Sequence, residues 1–210
     1  MAVPAIILAA GASRRLGQPK QLIQIGGETL LARTIRVARE AGTNPIFVVL
    51  GANSSVLAEQ VDLSLAKAVM NPDWEQGIAS SIQTGIRALL QVDDGAAAAM
   101  LLVCDQARLT SEHLMALTRA YERAGELRIV ASRYAGIVGI PAIFPASQFA
   151  ELDALHGDEG ARRLLRNLES LTTLIDFEGG EMDIDSPEDL AAIRAEISAS
   201  NAGCFGAKKG

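Results

Sequence analysis

The chain has 210 residues, 49% of them hydrophobic and 21% charged, enough apolar material for one substantial core and unlike a disordered polypeptide. Its net charge of −6 argues against a nucleic-acid partner, which calls for a basic face, but is compatible with a small anionic ligand. Cys104 and Cys204 lie far apart with no metal-ligand spacing, so neither a disulfide framework nor a thiolate metal site is expected, and a cytoplasmic location fits.

The first apolar run, residues 3–9, is too short to span a bilayer. It lacks a basic leader and is cut off by Gly11, Arg14 and Arg15, so it reads as a buried strand and not as a membrane or export segment. Leu31, Ile35 and Ala38 then share a helical face with Leu30, Thr34 and Val37, with Gly42 as the stop. Strands are predicted at 46–50 and 67–70, followed by a helix with the stripe Ile78, Ile82, Ile86 and Leu89. A strand at 100–104 precedes a helix carrying Leu114, Leu117 and Tyr121, opened by Thr110 or Ser111 and closed by Gly125. Further strands are predicted at 128–132, 137–144 and 172–177. A last helix starts at Ser186 as N-cap, with Pro187 as its first residue and Asp189 three places after the cap.

Aliphatic runs of this kind suit strands covered on both faces. Their alternation with helices predicts an open α/β fold, a Rossmann-like three-layer α/β/α sandwich with a mostly parallel sheet and right-handed crossovers. There is no internal repeat. One domain is expected over 1–197, with 198–210, rich in small residues, as a flexible tail.

In an open α/β sheet, ligands bind beyond the carboxyl ends of the strands. The first such end runs from Leu8 to Lys20 and holds Gly11, Gly17 and three cations, Arg14, Arg15 and Lys20, in an acidic protein. Small residues let backbone N–H groups approach phosphate oxygens, Arg15 offers a fork and Lys20 a point charge. A solvated basic loop with incidental glycines is the plainer alternative. There is neither G-x-G-x-x-G nor G-x-x-x-x-G-K-[ST], which excludes the usual dehydrogenase and P-loop fingerprints.

Carboxylates occur where a metal would be wanted. Asp105 ends a predicted central strand, and Asp183 and Asp185 are two apart, so an extended backbone would aim both to one side. Asp105 as a turn initiator and Asp185 as a helper at the Ser186 helix start are the structural alternatives. Asn71, Gly77, Ser80 and Ser81 surround the entry to a helix, where Asn71 suits a base edge and the serines a base or ribose; capping around a packed Trp74 competes with that. His113 and His156 have no partner at nucleophile or metal spacing, so surface or capping roles are expected, and Cys104 reads as a buried strand residue.

The segment from Leu8 to Lys20 resembles the L-A-A-G-x-S-x-R-x-G-x-x-K signature of the MobA-like nucleotidyltransferases, with Ser13, Arg15, Gly17 and Lys20 in place. Asp105-Gln106 is similar to that family's D-Q-P metal element, with Ala107 standing where proline is usual. The stretch from Asp183 to Leu190 is similar to its D-[IV]-D-T-P-E-D-L element. Residues 71–82 resemble an N-x-x-W-x-x-G-[MI]-x-S-S-[LI] element of the cytidylyltransferase branch, and 136–141 and 157–162 resemble its G-x-x-G-x-P and G-D-x-G-A-R elements. The likeness runs from about Val3 to Leu190 and is greatest to molybdenum cofactor cytidylyltransferases.

The resemblance implies transfer of CMP from CTP to molybdenum-bound molybdopterin with release of pyrophosphate. It implies Leu8, Ala9, Ala10, Gly11, Ser13, Arg15, Lys20, Asn71, Gly77, Ser80 and Ser81 at the nucleotide, with Arg15, Lys20 and Asp105 catalytic. Mg²⁺ would be held by Asp105 with Asp183 or Asp185, and the acceptor would lie against Gly139, Pro141, Asp158 and Arg162; for Asp158 a helix N-cap is the plainer reading. A molybdoenzyme chaperone is a further implied partner. Guanylyl transfer, a sugar or polyol phosphate acceptor, and a catalytically silent nucleotide- or cofactor-binding module are the rival readings. Ala10, where the guanylyl branch has glycine, and Pro19 before the lysine favour cytidylyl transfer, and retention of Arg15, Lys20, Asp105, Asp183 and Asp185 argues against a silent module.

Overall fold

Ala5, Ile6, Ile7 and Leu8 carry no polar side chain to either face, so they form a strand, β1 (Ala5–Leu8), buried on both sides. The computed structural model describes residues 2–168, 171–184 and 186–195. In it β1 lies between β4 (Ile46–Leu50) and β6 (Ala98–Val103), parallel to both. With β5 (Lys67–Met70), β7 (Ile129–Tyr134), β8 (Ile137–Pro145) and β9 (Thr172–Asp176) they form a seven-stranded sheet of order β5-β4-β1-β6-β8-β7-β9.

The sheet is mostly parallel, as expected. Only β8 runs against its neighbours, antiparallel to both β6 and β7. A two-residue turn produces the reversal: Ala135 and Gly136 have φ of +47° and +75°, the pair of positive values that a tight hairpin matching strand twist requires. One expected buried strand proves otherwise. β5 is an edge strand, with no strand paired beyond it among the described residues, and it leaves Lys67, Ala68 and Met70 exposed.

Alternate strand residues feed two separate cores. Ile7, Val48 and Met100 pack under α1 (Leu30–Glu40), α2 (Ser54–Gln60) and α4 (Ser111–Arg123). Ile6, Val49 and Leu101 pack under α3 (Ile78–Val92), α5 (Phe149–Asp153) and α6 (Ala161–Asn167). Each fully buried aliphatic side chain contributes roughly 1.5–3 kcal/mol relative to exposure. These layers form the expected α/β/α sandwich. A small hairpin, β2 (Gln24–Ile25) and β3 (Glu28–Thr29), joins the last helix, α7 (187–195), in a third cluster through Ile23, Ile25, Ile184, Leu190 and Ile193. The start of α7 is the predicted capping arrangement: the Ser186 amide and hydroxyl both donate to Asp189 Oδ2, and the Asp189 amide donates back to Ser186 Oγ at 3.2 Å. Asp185 and the 198–210 tail lie outside the described residues.

His113 departs from the expected surface role. Only 9% exposed, it stacks on Phe177 with ring centroids 4.4 Å apart, and its Nε2 lies 2.7 Å from Ser132 Oγ. The Ser132 hydroxyl donates to Pro141 O at 2.7 Å, so the imidazole donates to Ser132 through Nε2–H. Periodicity could not separate this residue from a solvated one, since His113 occupies the first turn of α4, beside its cap.

Burial pushes the His113 pKa down from 6.5 to about 4. The unfolded chain takes up this proton below the ordinary value, whereas the folded chain takes it up only near the lowered one. The stabilisation is therefore complete above 6.5 and is lost as pH falls through the window towards 4. In urea unfolding across that window, stability should fall more steeply for the wild type than for His113→Gln; parallel slopes would contradict it.

Candidate active site

The chain leaves β1 at the carboxyl end of the sheet and turns through a loop that its own side chains hold. Gln21, fully buried, donates through Nε2 to Ala9 O at 2.7 Å and Gly11 O at 2.9 Å. Ser13, at φ +53°, accepts the Lys20 amide on Oγ at 3.0 Å, which closes the loop on itself. Among the described residues, the amides of Gly11, Ala12, Ser13 and Arg14 donate to no main-chain carbonyl. Consecutive amides without main-chain acceptors can form a cradle for an anion. The sequence reading missed Gln21, whose only signal was a polar residue just after the lysine.

Across this loop β6 ends at Val103 and delivers Cys104 and Asp105. Lys20 Nζ pairs with Asp105 Oδ2, bringing together a predicted phosphate cation and a predicted metal carboxylate from residues 85 apart in sequence. The second carboxylate oxygen, Asp105 Oδ1, is buried and accepts no hydrogen bond. Asp183 is held alongside: Gln106 and Asp183 form an antiparallel bridge, and the Ile184 amide donates to Asp105 O at 3.2 Å. Two carboxylates, one with an unused buried oxygen, suit a hard divalent cation that completes its shell with phosphate oxygens and water. Among the described residues no three His, Cys, Asp or Glu side chains cluster to hold a metal ion. Cys104 is buried, as expected, and burial, aided by the Asp105 charge, pushes its thiol up to about 12.

These groups face a cleft of about 570 Å³ lined by Leu8, Ala10, Gly11, Ser13, Arg15, Lys20, Gly77, Ser81, Asp105 and Asp158, together with Trp74 and Glu75. Ala9, Asn71 and Ser80, expected at the nucleotide, stand behind this wall. Asn71 is 1% exposed and donates to Ser80 Oγ at 2.9 Å and Ser81 Oγ at 3.0 Å, while its Oδ1 accepts the Asp73 amide. Ser80 Oγ lies within hydrogen-bonding reach of two carbonyls, Asp73 O and Gly77 O. Together they tie the 71–77 loop, which ends at Gly77, to the first turn of α3, which presents Ser81.

Gly77 sits at φ +100°, where a Cβ would run into the Gly157 backbone and approach Asp158 Oδ1. The same junction is tied by the Ala79 amide donating to Gly157 O at 3.1 Å. Gly77→Ala should therefore cost about 1–3 kcal/mol from backbone strain alone, with a further loss from the displaced 157–158 segment. Thermal unfolding checks this, and an unchanged midpoint would contradict it.

A second cavity of about 290 Å³ adjoins the first, and Leu8, Ile78, Val103, Asp105 and Asp158 line both. Its far wall carries Gln106, Tyr134, Ile140, Arg162 and Asp183. Of the residues expected at an acceptor, Asp158 and Arg162 line this space. Asp158 is not the α6 N-cap, a position taken by Gly160. Gly139 and Pro141 support the wall from behind: Tyr134 packs over Gly139 where a Cβ would stand, and Pro141 O is taken by Ser132. Burial raises the Tyr134 hydroxyl above the ordinary phenol range, and a hydrogen bond with Arg162 partly offsets this. Tyr134 was missed in sequence because the strand was expected to end two residues earlier.

A cleft with an anion cradle, a lysine–aspartate pair and an adjoining second cavity fits transfer between two bound substrates. A profile of the MobA-like NTP transferase domain matches residues 5–172. The chain belongs to the MobA-like NTP transferase family. As a member it is a nucleotidyltransferase, and the matched stretch includes the loop from Leu8 to Lys20 and Asp105. The purine catabolism protein PucB of Bacillus subtilis is 29% identical over 204 residues, covering 92% of this chain and 96% of that protein. The nicotine blue oxidoreductase of Paenarthrobacter nicotinovorans is 30% identical over 199 residues, covering 90% and 94%. Rv0371c of Mycobacterium tuberculosis superposes with a TM-score of 0.79 at 31% identity, over 93% of this chain and 99% of that one. A manganese complex of Rv0371c superposes at 0.75 and 27% identity, over 93% and 99%. No helix among the described residues is long and apolar enough to cross a membrane.

Proposed function

We propose that the chain is a divalent-metal-dependent cytidylyltransferase that moves CMP from CTP to the phosphate of molybdenum-bound molybdopterin. One observation carries the reading: Lys20 and Asp105 meet where the two cavities join, with the loop amides on one side and Arg162 on the other. The manganese complex of the related Rv0371c supports a divalent cation, with Mg²⁺ as the working ion. Ser81 and Gly77 on the cleft wall, within a segment resembling the cytidylyl branch, support CTP. Asp158 and Arg162 in the second cavity support the acceptor side.

In the reaction, an oxygen of the acceptor phosphate attacks the α-phosphorus of CTP. A new P–O bond forms, the bond from the α-phosphorus to the bridging oxygen breaks, and pyrophosphate leaves with the electron pair. A phosphate is already ionised at neutral pH, so alignment and electrostatics suffice and no strong base is required. Bound Mg²⁺ would neutralise charge on the phosphate oxygens. Asp105 and Asp183 would hold it, Lys20 would turn from Asp105 to the triphosphate, and Arg15 would support the β- and γ-phosphates. Calorimetry of CTP and GTP, each with and without Mg²⁺, tests the reading. Mg²⁺-dependent preference for CTP supports it. Preference for GTP would favour guanylyl transfer, and binding of neither would overturn the assignment.

A further inference from the structure

Arg33 lies on α1 and lines neither cavity, yet it grips the turn that carries Asp105. Its Nε donates to Ala107 O at 3.1 Å and its Nη2 to Leu109 O at 3.0 Å. Both acceptor residues are buried, so few waters could replace those bonds. Within the turn Ala107 N donates to Asp105 O at 3.1 Å and Leu109 N to Gln106 O at 3.0 Å, and Gln106 Nε2 ties its first half to Ile140 O at 3.0 Å and Gly180 O at 3.2 Å, which leaves the 107–109 half to Arg33. Where the resembling family pattern has proline, Ala107 has no ring to restrict its backbone. A guanidinium fork on two carbonyls of one turn supplies that rigidity by charge-assisted hydrogen bonds. The same turn bridges Gln106 to Asp183 and accepts the Ile184 amide on Asp105 O, so its geometry sets the spacing of both carboxylates.

We propose that Arg33 is a positioning residue, fixing the Asp105 turn and through it the paired aspartates in the arrangement that takes a divalent cation beside the triphosphate. The inference rests on the metal-dependent reading above. It is tested with full-length wild type, Arg33→Met and Arg33→Lys by two measurements other than turnover. Hydrogen exchange of the peptide containing 104–110 reads the order of the turn without metal or nucleotide. Mn²⁺ titration in the presence of CTP, followed by the loss of free-ion electron paramagnetic resonance signal, reads the site.

The expected result is several-fold faster exchange in Arg33→Met and Mn²⁺ binding weakened by about tenfold, as for other residues that support metal ligands. Arg33→Lys, which keeps one charged donor, should fall between it and wild type and keeps the test open if the methionine variant does not fold. Unchanged exchange in either folded variant, or faster exchange with unaltered Mn²⁺ affinity, would overturn the positioning role alone. A wild type that takes up no Mn²⁺ with CTP would overturn the metal reading and the inference with it.

Discussion

Replacing Asp105 by Asn is expected to cut turnover by about 10²-fold or more, the usual scale for removing one electrostatic contact to a transition state. The side chain keeps its size, so the fold should survive. Its carboxylate charge is lost, however, and one oxygen becomes an NH₂ group. Asp105 Oδ2 holds Lys20, and Oδ1 is buried with no hydrogen-bond partner, so either orientation of the amide is unfavourable. One orientation turns N–H donors towards the Lys20 ammonium; the other puts them where a cation is expected. Pyrophosphate release at saturating CTP, with Mg²⁺ titrated, checks this. The loss should persist at high Mg²⁺, and activity indifferent to the change would remove Asp105 from the site.

The second large effect is expected at Lys20. Lys20→Ala takes away a cation on the phosphate loop and leaves Asp105 without its partner at the edge of the cleft. Both changes make the site more negative where a triphosphate must enter. CTP affinity and turnover should fall together, with kcat/KM lower by about 10²-fold, the scale of losing one charge clamp on a transferring phosphoryl group. The fold should persist, because the Ser13 hydroxyl accepts the Lys20 backbone amide and not its side chain, and Gln21 anchors the loop independently. Lys20→Arg should not restore activity in full, since a planar fork does not reproduce a compact point charge. Unaltered steady-state kinetics in Lys20→Ala would contradict the phosphate-loop assignment.

The parts of the site that were legible in sequence are those where residue type and position both carry the chemistry. Asp105 is a carboxylate just beyond an apolar strand, and Lys20 is a cation closing the glycine-containing loop that follows another, where few alternatives exist. Asn71 and Ser80 were harder to read because a buried polar side chain that ties a loop is indistinguishable in sequence from one that faces a ligand; only their partners separate the two. The strand pattern was legible, but the direction of β8 was not, because its turn places Ala135 rather than a second glycine at positive φ. The β2–β3 hairpin escaped notice although Gly26 and Gly27 mark it, since two-residue strands are too short to show alternation. α2, α5 and α6 are five to seven residues long, too short to display a helical period. The support of the second cavity's wall by Ser132 and His113 depends on a register shift between Ala131 and Ser132 that no spacing announces.

The most direct test of the account is to supply CTP or GTP with Mg²⁺ and molybdenum-bound molybdopterin and to measure pyrophosphate release together with the dinucleotide formed. Stoichiometric CMP transfer with CTP, dependent on Mg²⁺ and on Asp105, is the expected result. A product carrying GMP, or no pyrophosphate from either nucleotide, would contradict it.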